Sequence, residues 1–288
     1  MVKNYFSLIK FSHTIFAMPF AMVGFFLGTL YESKPLDLQM LGLVVLCMVF
    51  ARSAAMAFNR FLDKDIDMAN PRTKVREIPS GVIKANNALL FVLMNCVAFI
   101  ITTYFINSLC FSLSPIALLV VLGYSYTKRF TFLCHLVLGL GLSLAPIGAF
   151  MAVNGYSAPI PILYSVVVLL WVGGFDVIYA LQDEEFDQSQ RLFSIPVALG
   201  ARKALLLSLI MHIFSAAILI YAVYTSWENF KVFGWVIWLG AACFISLLFY
   251  QHTLVKYNDL SKVDLAFFTT NGIASLIFGT LFIVDIYF

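Results

Sequence analysis

The sequence predicts an all-α integral membrane protein. Of its 288 residues, 62% are hydrophobic and only 11% are charged, whereas a soluble domain carries about 25% charged residues. The apolar runs have the length of membrane-spanning helices and lack the alternating pattern of an outer-membrane barrel. A soluble core of this size would not enclose 29 Phe side chains, so soluble fold classes are excluded.

Nine apolar runs are long enough to cross a bilayer, and we expect them to form one bundle around a central cavity. These runs cover residues 11–31, 39–59, 87–107, 111–127, 133–153, 160–182, 204–225, 231–251 and 264–286. Lys and Arg concentrate in alternate connecting segments, which places the N-terminus in the cytoplasm by the positive-inside rule. Residues 1–288 then form a single membrane domain, with cytoplasmic loops 60–86 and 183–203 capping the active site.

The first polar cluster lies at the end of the second predicted span. Asn59, Asp63 and Asp67 are four residues apart, so on a helix they share one face. Three oxygen donors on one face are typical of one half of a hard-cation site. Asp65 and Arg60 fall elsewhere around such a helix.

A second cluster, at the end of the sixth predicted span, repeats this spacing. Asp183 and Asp187 are four residues apart, and Asp176 precedes Asp183 by seven. The span count places both clusters on the same side of the membrane, where we expect them to face each other. Mg²⁺ is usually bound by one or two carboxylates together with substrate phosphates. The basic residues near these clusters that would neutralise a diphosphate are Arg72, Arg76, Lys128 and Arg129. The alternative is that these acids and bases only neutralise one another in a solvated loop.

Two charged residues are predicted to lie inside spans. Arg52 precedes Asn59 by seven residues, on the same face and about 10 Å deeper. A charge at that depth marks a functional site by default. The alternative is that Arg52 pairs with a carboxylate only to hold helices together. Asp176 also needs a partner, and Arg52 is the candidate. Tyr124 and Tyr179 are candidates to line the pocket, because aromatic faces stabilise an allylic cation.

Three stretches resemble the signatures of the UbiA-type intramembrane prenyltransferases. Residues 59–81, NRFLDKDIDMANPRTKVREIPSG, are similar to the first signature, and residues 176–187, DVIYALQDEEFD, are similar to the second. Residues 124–129, YSYTKR, resemble the segment between them, and the resemblance covers nearly the whole chain. Arg60 departs from the commonest first signature, which has Asp there. Residues 11–20, FSHTIFAMPF, are more similar to a branch that serves menaquinone synthesis.

The resemblance implies a fold of nine spans and an Mg²⁺-dependent transfer of a polyprenyl group. The donor would be a polyprenyl diphosphate, and the acceptor a ring carbon of 4-hydroxybenzoate or of a dihydroxynaphthoate, in ubiquinone or menaquinone biosynthesis. The implied ligands of Mg²⁺ and diphosphate are Asn59, Asp63, Asp67, Asp183 and Asp187. Residues that would assist the leaving group are Arg72, Arg76 and Lys128. Arg52 and Asp176 would orient the acceptor, and His13 would contact it. We expect a bacterial inner-membrane enzyme whose site faces the cytoplasm, with no nucleic-acid partner.

A secondary transporter of a divalent cation or a phosphorylated solute is the main alternative. Transporters favour ligands near the midplane of the membrane on broken helices, whereas the acidic residues here fall at predicted helix ends. A non-catalytic lipid-binding protein is a further alternative, and its function would not depend on Asp63 or Asp183.

Overall fold

The computed structural model describes residues 2–9 and 18–288, and within these ranges the chain is helical, as predicted. The helices are α1 (Val2–Leu8), α2 (Met18–Tyr31), α3 (Leu38–Leu62), α4 (Lys64–Ala69), α5 (Ala85–Ile106), α6 (Ser108–Thr127), α7 (Cys134–Asn154), α8 (Pro159–Ala180), α9 (Glu184–Ser189), α10 (Ile195–Leu199), α11 (Ala201–Asn229), α12 (Val236–Leu254) and α13 (Asn271–Tyr287). A 3₁₀ turn, Leu181–Asp183, joins α8 to α9. A π-helical segment, Leu265–Thr270, leads into α13.

Eight helical segments in the described part of the chain are long and apolar enough to cross a membrane. Helix α2 is apolar but shorter, with 14 residues. Residues 10–17, which precede it, lie outside the described ranges, so the count of nine spans stays a prediction. Helix α3 has 25 residues and is about 38 Å long, which exceeds the roughly 30 Å hydrocarbon core of a bilayer.

The two predicted loops contain short helices. Segment 60–86 holds the last turn of α3 and all of α4, and segment 183–203 holds α9 and α10. We call the end of the bundle where these two segments lie the charged end, and the opposite end the far end.

At the far end, Asp37 caps α3 by accepting from two amides of its first turn. Asn107 there donates to the carbonyls of Met151 (2.9 Å) and Ala152 (3.1 Å), which ties the start of α6 to the end of α7.

An aromatic core holds α2, α8, α12 and α13 together. The ring of Phe20 packs 5.4 Å from Trp171, 5.7 Å from Phe244 and 5.6 Å from Phe278, measured between ring centroids. The Trp171 indole donates to the Asn271 side-chain oxygen at 2.8 Å, so its one polar atom is satisfied. Because lipid is as apolar as these rings, close packing is what favours this association.

Helices α3, α5 and α6 form a second group that packs beside α7. A cavity of about 1060 Å³ lies between the two groups. In the described part of the chain, α3, α5, α6, α7, α8 and the π-helical segment line this cavity, whereas α11 and α12 do not. The predicted cavity is therefore present, and its walls come from about half of the bundle.

Glycines allow close approach where α7 meets its neighbours. A Cβ atom at Gly24 of α2 would lie 1.9 Å from the carbonyl oxygen of Pro146. A Cβ atom at Gly139 of α7 would lie 2.4 Å from the carbonyl oxygen of Leu169. Small residues at such crossings let membrane helices pack backbone to backbone, and here they hold α7 between the two groups of helices.

We expect Gly24→Ala to lower the free energy of unfolding by roughly 1–3 kcal/mol, because the α7 backbone must move to admit the methyl group. Gly42 of α3 has open space around its Cα. Gly42→Ala is the matched control and should leave stability unchanged or slightly raised, since Ala favours helices. Thermal unfolding in detergent micelles measures both effects. Equal unfolding temperatures for the two variants would contradict the close contact.

Candidate active site

The first acidic cluster lies where α3 ends. Helix α3 stops at Leu62 and Asp63 forms the junction with α4, so the prediction that the cluster lies on one continuous helix is wrong. The residues are nevertheless close: the Asn59 amide donates to Asp63 Oδ2 at 3.2 Å, and the Asp67 backbone N–H donates to the Asp63 carbonyl at 2.7 Å. Asp63 and Asp67 are only 2% and 3% exposed, so each needs a compensating charge.

Basic residues from two other segments supply that charge. At the end of α6, Lys128 Nζ lies 2.7 Å from Asp63 Oδ2, and Arg129 Nη2 lies 2.9 Å from Asp63 Oδ1. After α4, Arg76 Nη1 lies 2.6 Å from Asp67 Oδ1. The other carboxylate oxygen of Asp67 is buried and has no hydrogen-bond partner among the described residues. Asp67 therefore keeps one free oxygen at the cavity wall.

The second acidic cluster meets the first through the loop after α4. Arg72 Nε donates to Asp183 Oδ1 at 3.0 Å, and Arg72 Nη2 pairs with Asp183 Oδ2. The Asn70 side-chain amide donates to Asp183 Oδ1 at 3.1 Å. Burial alone would lower the pKa of Arg72, but its hydrogen bonds with Asp183 hold that pKa above its usual range. The two signatures therefore face each other across the cavity, as the sequence predicts.

Aromatic rings extend this contact into the cavity. Arg72 Nη1 donates to the Tyr179 hydroxyl at 2.9 Å, and the guanidinium lies 5.3 Å from the Tyr179 ring centroid. The other side of Tyr179 stacks on Phe267 of the π-helical segment, with 4.1 Å between centroids. Tyr124 also lines the cavity. Both tyrosines predicted for the pocket are thus on its wall.

Asp176 pairs with a residue other than the predicted one. Its Oδ2 atom lies 2.7 Å from His135 Nδ1, and the described residues show no ion pair between Asp176 and Arg52. His135 Nε2 accepts from the backbone N–H of Ile195 at 3.3 Å, so Nδ1 carries the proton and donates to Asp176. The predicted Arg52–Asp176 pair is wrong because α7 packs directly against α8 and brings His135 to Asp176.

Arg52 and Arg60 both line the cavity without an ion pair or hydrogen bond in the described residues. The Nε atom of each is buried and has no partner. The prediction that Arg60 points away from the cluster is wrong, since it is only 6% exposed and lies on the cavity wall. The last turn of α3 therefore directs both Asn59 and Arg60 toward the site.

The remaining predicted residues divide into three groups. Asp187 of α9, the last residue of the second cluster, lines the cavity as Asp183 does. Asp65, expected to point elsewhere, does so: its side chain is 84% exposed, and among the described residues it forms an ion pair only with Lys64, at 3.7 Å. His13 lies outside the described residues.

The side chains of the two acidic clusters carry oxygen atoms of the kind that bind a divalent cation. In this structure those side chains form ion pairs with basic residues. In the described ranges, no three His, Cys, Asp or Glu side chains lie together in a geometry that would hold a metal ion. Asp63, Asp67 and Asp183 supply carboxylate oxygens, which Mg²⁺ prefers. The Asp67 oxygen without a hydrogen-bond partner is a donor of this kind, on a residue that lines the cavity. The predicted metal role of this set, with Asn59 and Asp187, stays a prediction.

Comparison with known proteins decides the family. Residues 17–273 match the UbiA prenyltransferase family. The chain belongs to this family. A relative from Aliivibrio salmonicida (strain LFI1238), named 4-hydroxybenzoate octaprenyltransferase, is 29% identical over 244 residues, covering 84% of this chain and 83% of the relative. With its eight helices of spanning length, this UbiA-family chain is an integral membrane protein.

Two solved structures share the fold. The apo structure of a UbiA homolog from Aeropyrum pernix K1 is 32% identical and superposes with a TM-score of 0.85, covering 95% of this chain and 98% of that one. A UbiA homolog from Archaeoglobus fulgidus, solved bound to DMAPP and Mg²⁺, is 20% identical and has a TM-score of 0.75 over 98% of this chain and 99% of that one. The predicted resemblance to UbiA prenyltransferases is confirmed.

Sequence reasoning missed three contributors to this UbiA-family site. Asn70 lies within the first signature but was assigned no role, although its side chain both accepts from the Arg72 backbone N–H (2.9 Å) and donates to Asp183. His135 carries a detectable signal, a histidine within an otherwise apolar span. Phe267 carries none, because 29 Phe residues make any single one indistinguishable from core packing.

We expect Asp63→Asn to lower the free energy of unfolding by roughly 1–3 kcal/mol, because Lys128 and Arg129 then lose their shared counter-ion. Asp65→Asn is the matched control: it removes an exposed carboxylate two residues away and should change stability by less than about 0.5 kcal/mol. Thermal unfolding of both variants in the same detergent makes the comparison. A control that is as unstable as Asp63→Asn would contradict the assignment of the ion pairs.

Proposed function

We propose that this protein transfers a polyprenyl group from a polyprenyl diphosphate to a ring carbon of an aromatic acid. The observation that carries the proposal is the form of the cavity, which has a charged mouth and a long apolar interior. Asp63 lies at the mouth, and Val44, nineteen residues earlier on α3, lines the other end. That separation is about 29 Å along the helix, which suits a ligand with an anionic head and a long apolar tail.

The head of this ligand would be a diphosphate. Arginine forks make charge-assisted, often bidentate contacts with phosphate oxygens. Four basic residues converge on the mouth from two segments of the chain, the loop after α4 and the end of α6: Arg72, Arg76, Lys128 and Arg129. These residues would bind the diphosphate and stabilise its charge as the bond between the allylic carbon and oxygen breaks. Segments 60–86 and 183–203, which contain Arg72, Arg76, Asp183 and Asp187, would cap the site.

Mg²⁺ would be held by Asp63, Asp67, Asp183 and Asp187 together with Asn59, and when bound it would neutralise charge on the leaving diphosphate. Support comes from the donor type and from the unpaired Asp67 oxygen. The A. fulgidus homolog, which shares the fold, was solved with DMAPP and Mg²⁺.

The tail would lie along the apolar part of the cavity. Residues from four helices line it toward the far end, including Val44 of α3, Ile106 of α5, Cys110 of α6 and Met151 of α7. Near the mouth, the faces of Tyr124 and Tyr179 would stabilise the allylic cation without acting as strong nucleophiles. Such walls also keep water from the cation, which would otherwise be hydrolysed.

The acceptor would lie beside the cation, oriented by charged groups on two helices. Arg52 has a buried Nε atom without a partner, and a carboxylate is a natural ligand for its fork. Asp176, held by His135, would accept a hydrogen bond from a phenolic hydroxyl of the acceptor, which makes the ring more electron-rich. The ring carbon then attacks the cation, and the ring proton is lost. His13 would contact the acceptor as well.

The relatives and the N-terminal sequence favour different acceptors. The A. salmonicida relative is named for 4-hydroxybenzoate, while residues 11–20 are more similar to the menaquinone branch. A role in respiratory quinone biosynthesis accommodates either acceptor. We place the protein in a bacterial inner membrane with the charged end facing the cytoplasm, because Lys and Arg concentrate at that end.

Purified protein incubated with a labelled polyprenyl diphosphate and Mg²⁺ should prenylate 4-hydroxybenzoate or 1,4-dihydroxy-6-naphthoate. We expect Asp63→Ala and Asp183→Ala to lose at least about 100-fold in rate, because each removes a carboxylate that would hold Mg²⁺ against the leaving diphosphate. Asp65→Ala is the control and should retain wild-type activity. Absence of product with every aromatic acid tested would refute the proposal. Metal-coupled transport in vesicles without product formation would favour a transporter.

Arg52→Gln should raise the KM for the aromatic acid by roughly tenfold or more, because a charge-assisted hydrogen bond to the carboxylate is lost. The KM for the polyprenyl diphosphate should stay within about twofold of the wild type, since Arg52 lies roughly two turns deeper than the acidic cluster. Steady-state kinetics with each substrate varied in turn measures both constants. A change confined to the diphosphate KM would contradict this role.

A further inference from the structure

Arg60 is the most deeply buried cation at the charged end of the bundle. Arg60 is buried, with 6% of the residue exposed, whereas Arg72 is exposed and Lys128 and Arg129 are half-buried. Each of those three residues has a carboxylate partner within hydrogen-bond distance, and Arg60 has none in the described part of the chain. A buried guanidinium without such a partner pays a desolvation cost that no hydrogen-bonded carboxylate offsets.

The surroundings of Arg60 show which ligand would offset that cost. Its nearest charged neighbours are Arg76, Asp67 and Glu77. Asp67 is already paired with Arg76, and one Glu77 oxygen accepts from Ser7 at 2.5 Å. Arg60 and Arg76 are therefore close enough to repel each other, and both line the cavity. A polyanion between them would remove the repulsion and use both forks.

We propose that Arg60 is a further diphosphate-binding residue, which holds the anionic head of the prenyl donor together with Arg76. The proposal rests on the proposed function for the identity of the donor, and on the burial and missing partner of Arg60 for the contact itself. Arg60 and Arg52 would then bind different anionic groups of the two substrates. Arg60 lies beside the first acidic cluster and takes the diphosphate, and Arg52 lies eight residues earlier on α3 and takes the acceptor.

A structural role for Arg60 is the competing explanation. Arg60 lies in the last turn of α3, where a cation interacts favourably with the helix dipole, and Asp67 and Glu77 attract it from a distance. A residue with only this role would contribute to folding and leave ligand affinity unchanged. Binding and stability therefore separate the two explanations.

The test is calorimetric titration of the purified protein with inorganic pyrophosphate in excess Mg²⁺. Arg60→Gln removes the charge and keeps an amide of similar reach, and we expect it to weaken pyrophosphate binding roughly tenfold or more. Arg60→Lys keeps the charge without the fork and should weaken binding severalfold. Arg202→Gln is the matched control, because Arg202 bonds Tyr257 on the surface at 2.6 Å and does not line the cavity; its pyrophosphate affinity should equal that of the wild type.

Wild-type affinity in folded Arg60→Gln would overturn the inference, as would lower thermal stability without weaker binding, or a change only in the KM for the aromatic acid. If Arg60→Gln does not fold, Arg60→Lys decides, and unchanged affinity in that variant overturns the inference. Failure of the proposed function is distinguishable from these outcomes. Arg60-dependent pyrophosphate binding in a protein that prenylates no aromatic acid would refute the proposed acceptor chemistry and support the role of Arg60.

Discussion

The pairing of buried carboxylates with basic side chains is the constraint on which the charged end of this protein depends. A carboxylate that is almost fully removed from solvent needs a cation and further hydrogen bonds nearby, because its desolvation is otherwise too costly. Asp63 meets this need with the end of α6, and Asp183 meets it with the loop after α4. Three segments that are distant in sequence are therefore held at one place.

This arrangement leaves the rest of the cavity free to be apolar. The charges meet at the mouth, so α5, α6 and α7 can line the interior with aliphatic side chains. At the far end, the Asn107 amide satisfies two carbonyls of α7 and so ties α6 to α7. The division of the cavity into two parts follows from where charges can be compensated, and it selects a ligand that is itself divided into a charged head and an apolar tail.

The sequence predicts the helices and the meeting of the two signatures. Both depend on the length of the apolar runs, the spacing of the acidic residues and the charge of the loops, which can be read directly from a sequence. It does not predict partners inside the bundle. The choice of His135 over Arg52 for Asp176 depends on how α7 is rotated about its axis. The inward direction of Arg60 was missed for a related reason, since a helical wheel shows which residues share a face and does not show how wide the buried face is. Although α3 ends before Asp63, residues four apart in this cluster still lie close together, because the Asp67 backbone N–H donates to the Asp63 carbonyl.

The ion pairs also bear on how ligands would enter. Arg72, Arg76 and Lys128 each form an ion pair with a carboxylate. None of them can leave that carboxylate to bind a diphosphate unless another positive charge takes its place at the carboxylate. A divalent cation at the carboxylates would make that replacement, and the released basic residues would face the phosphate oxygens. We infer that cation and diphosphate bind cooperatively, since each lowers the cost of accommodating the other. Arg60 differs from these residues because it has no carboxylate to leave, and its charge is available to an anion from the start.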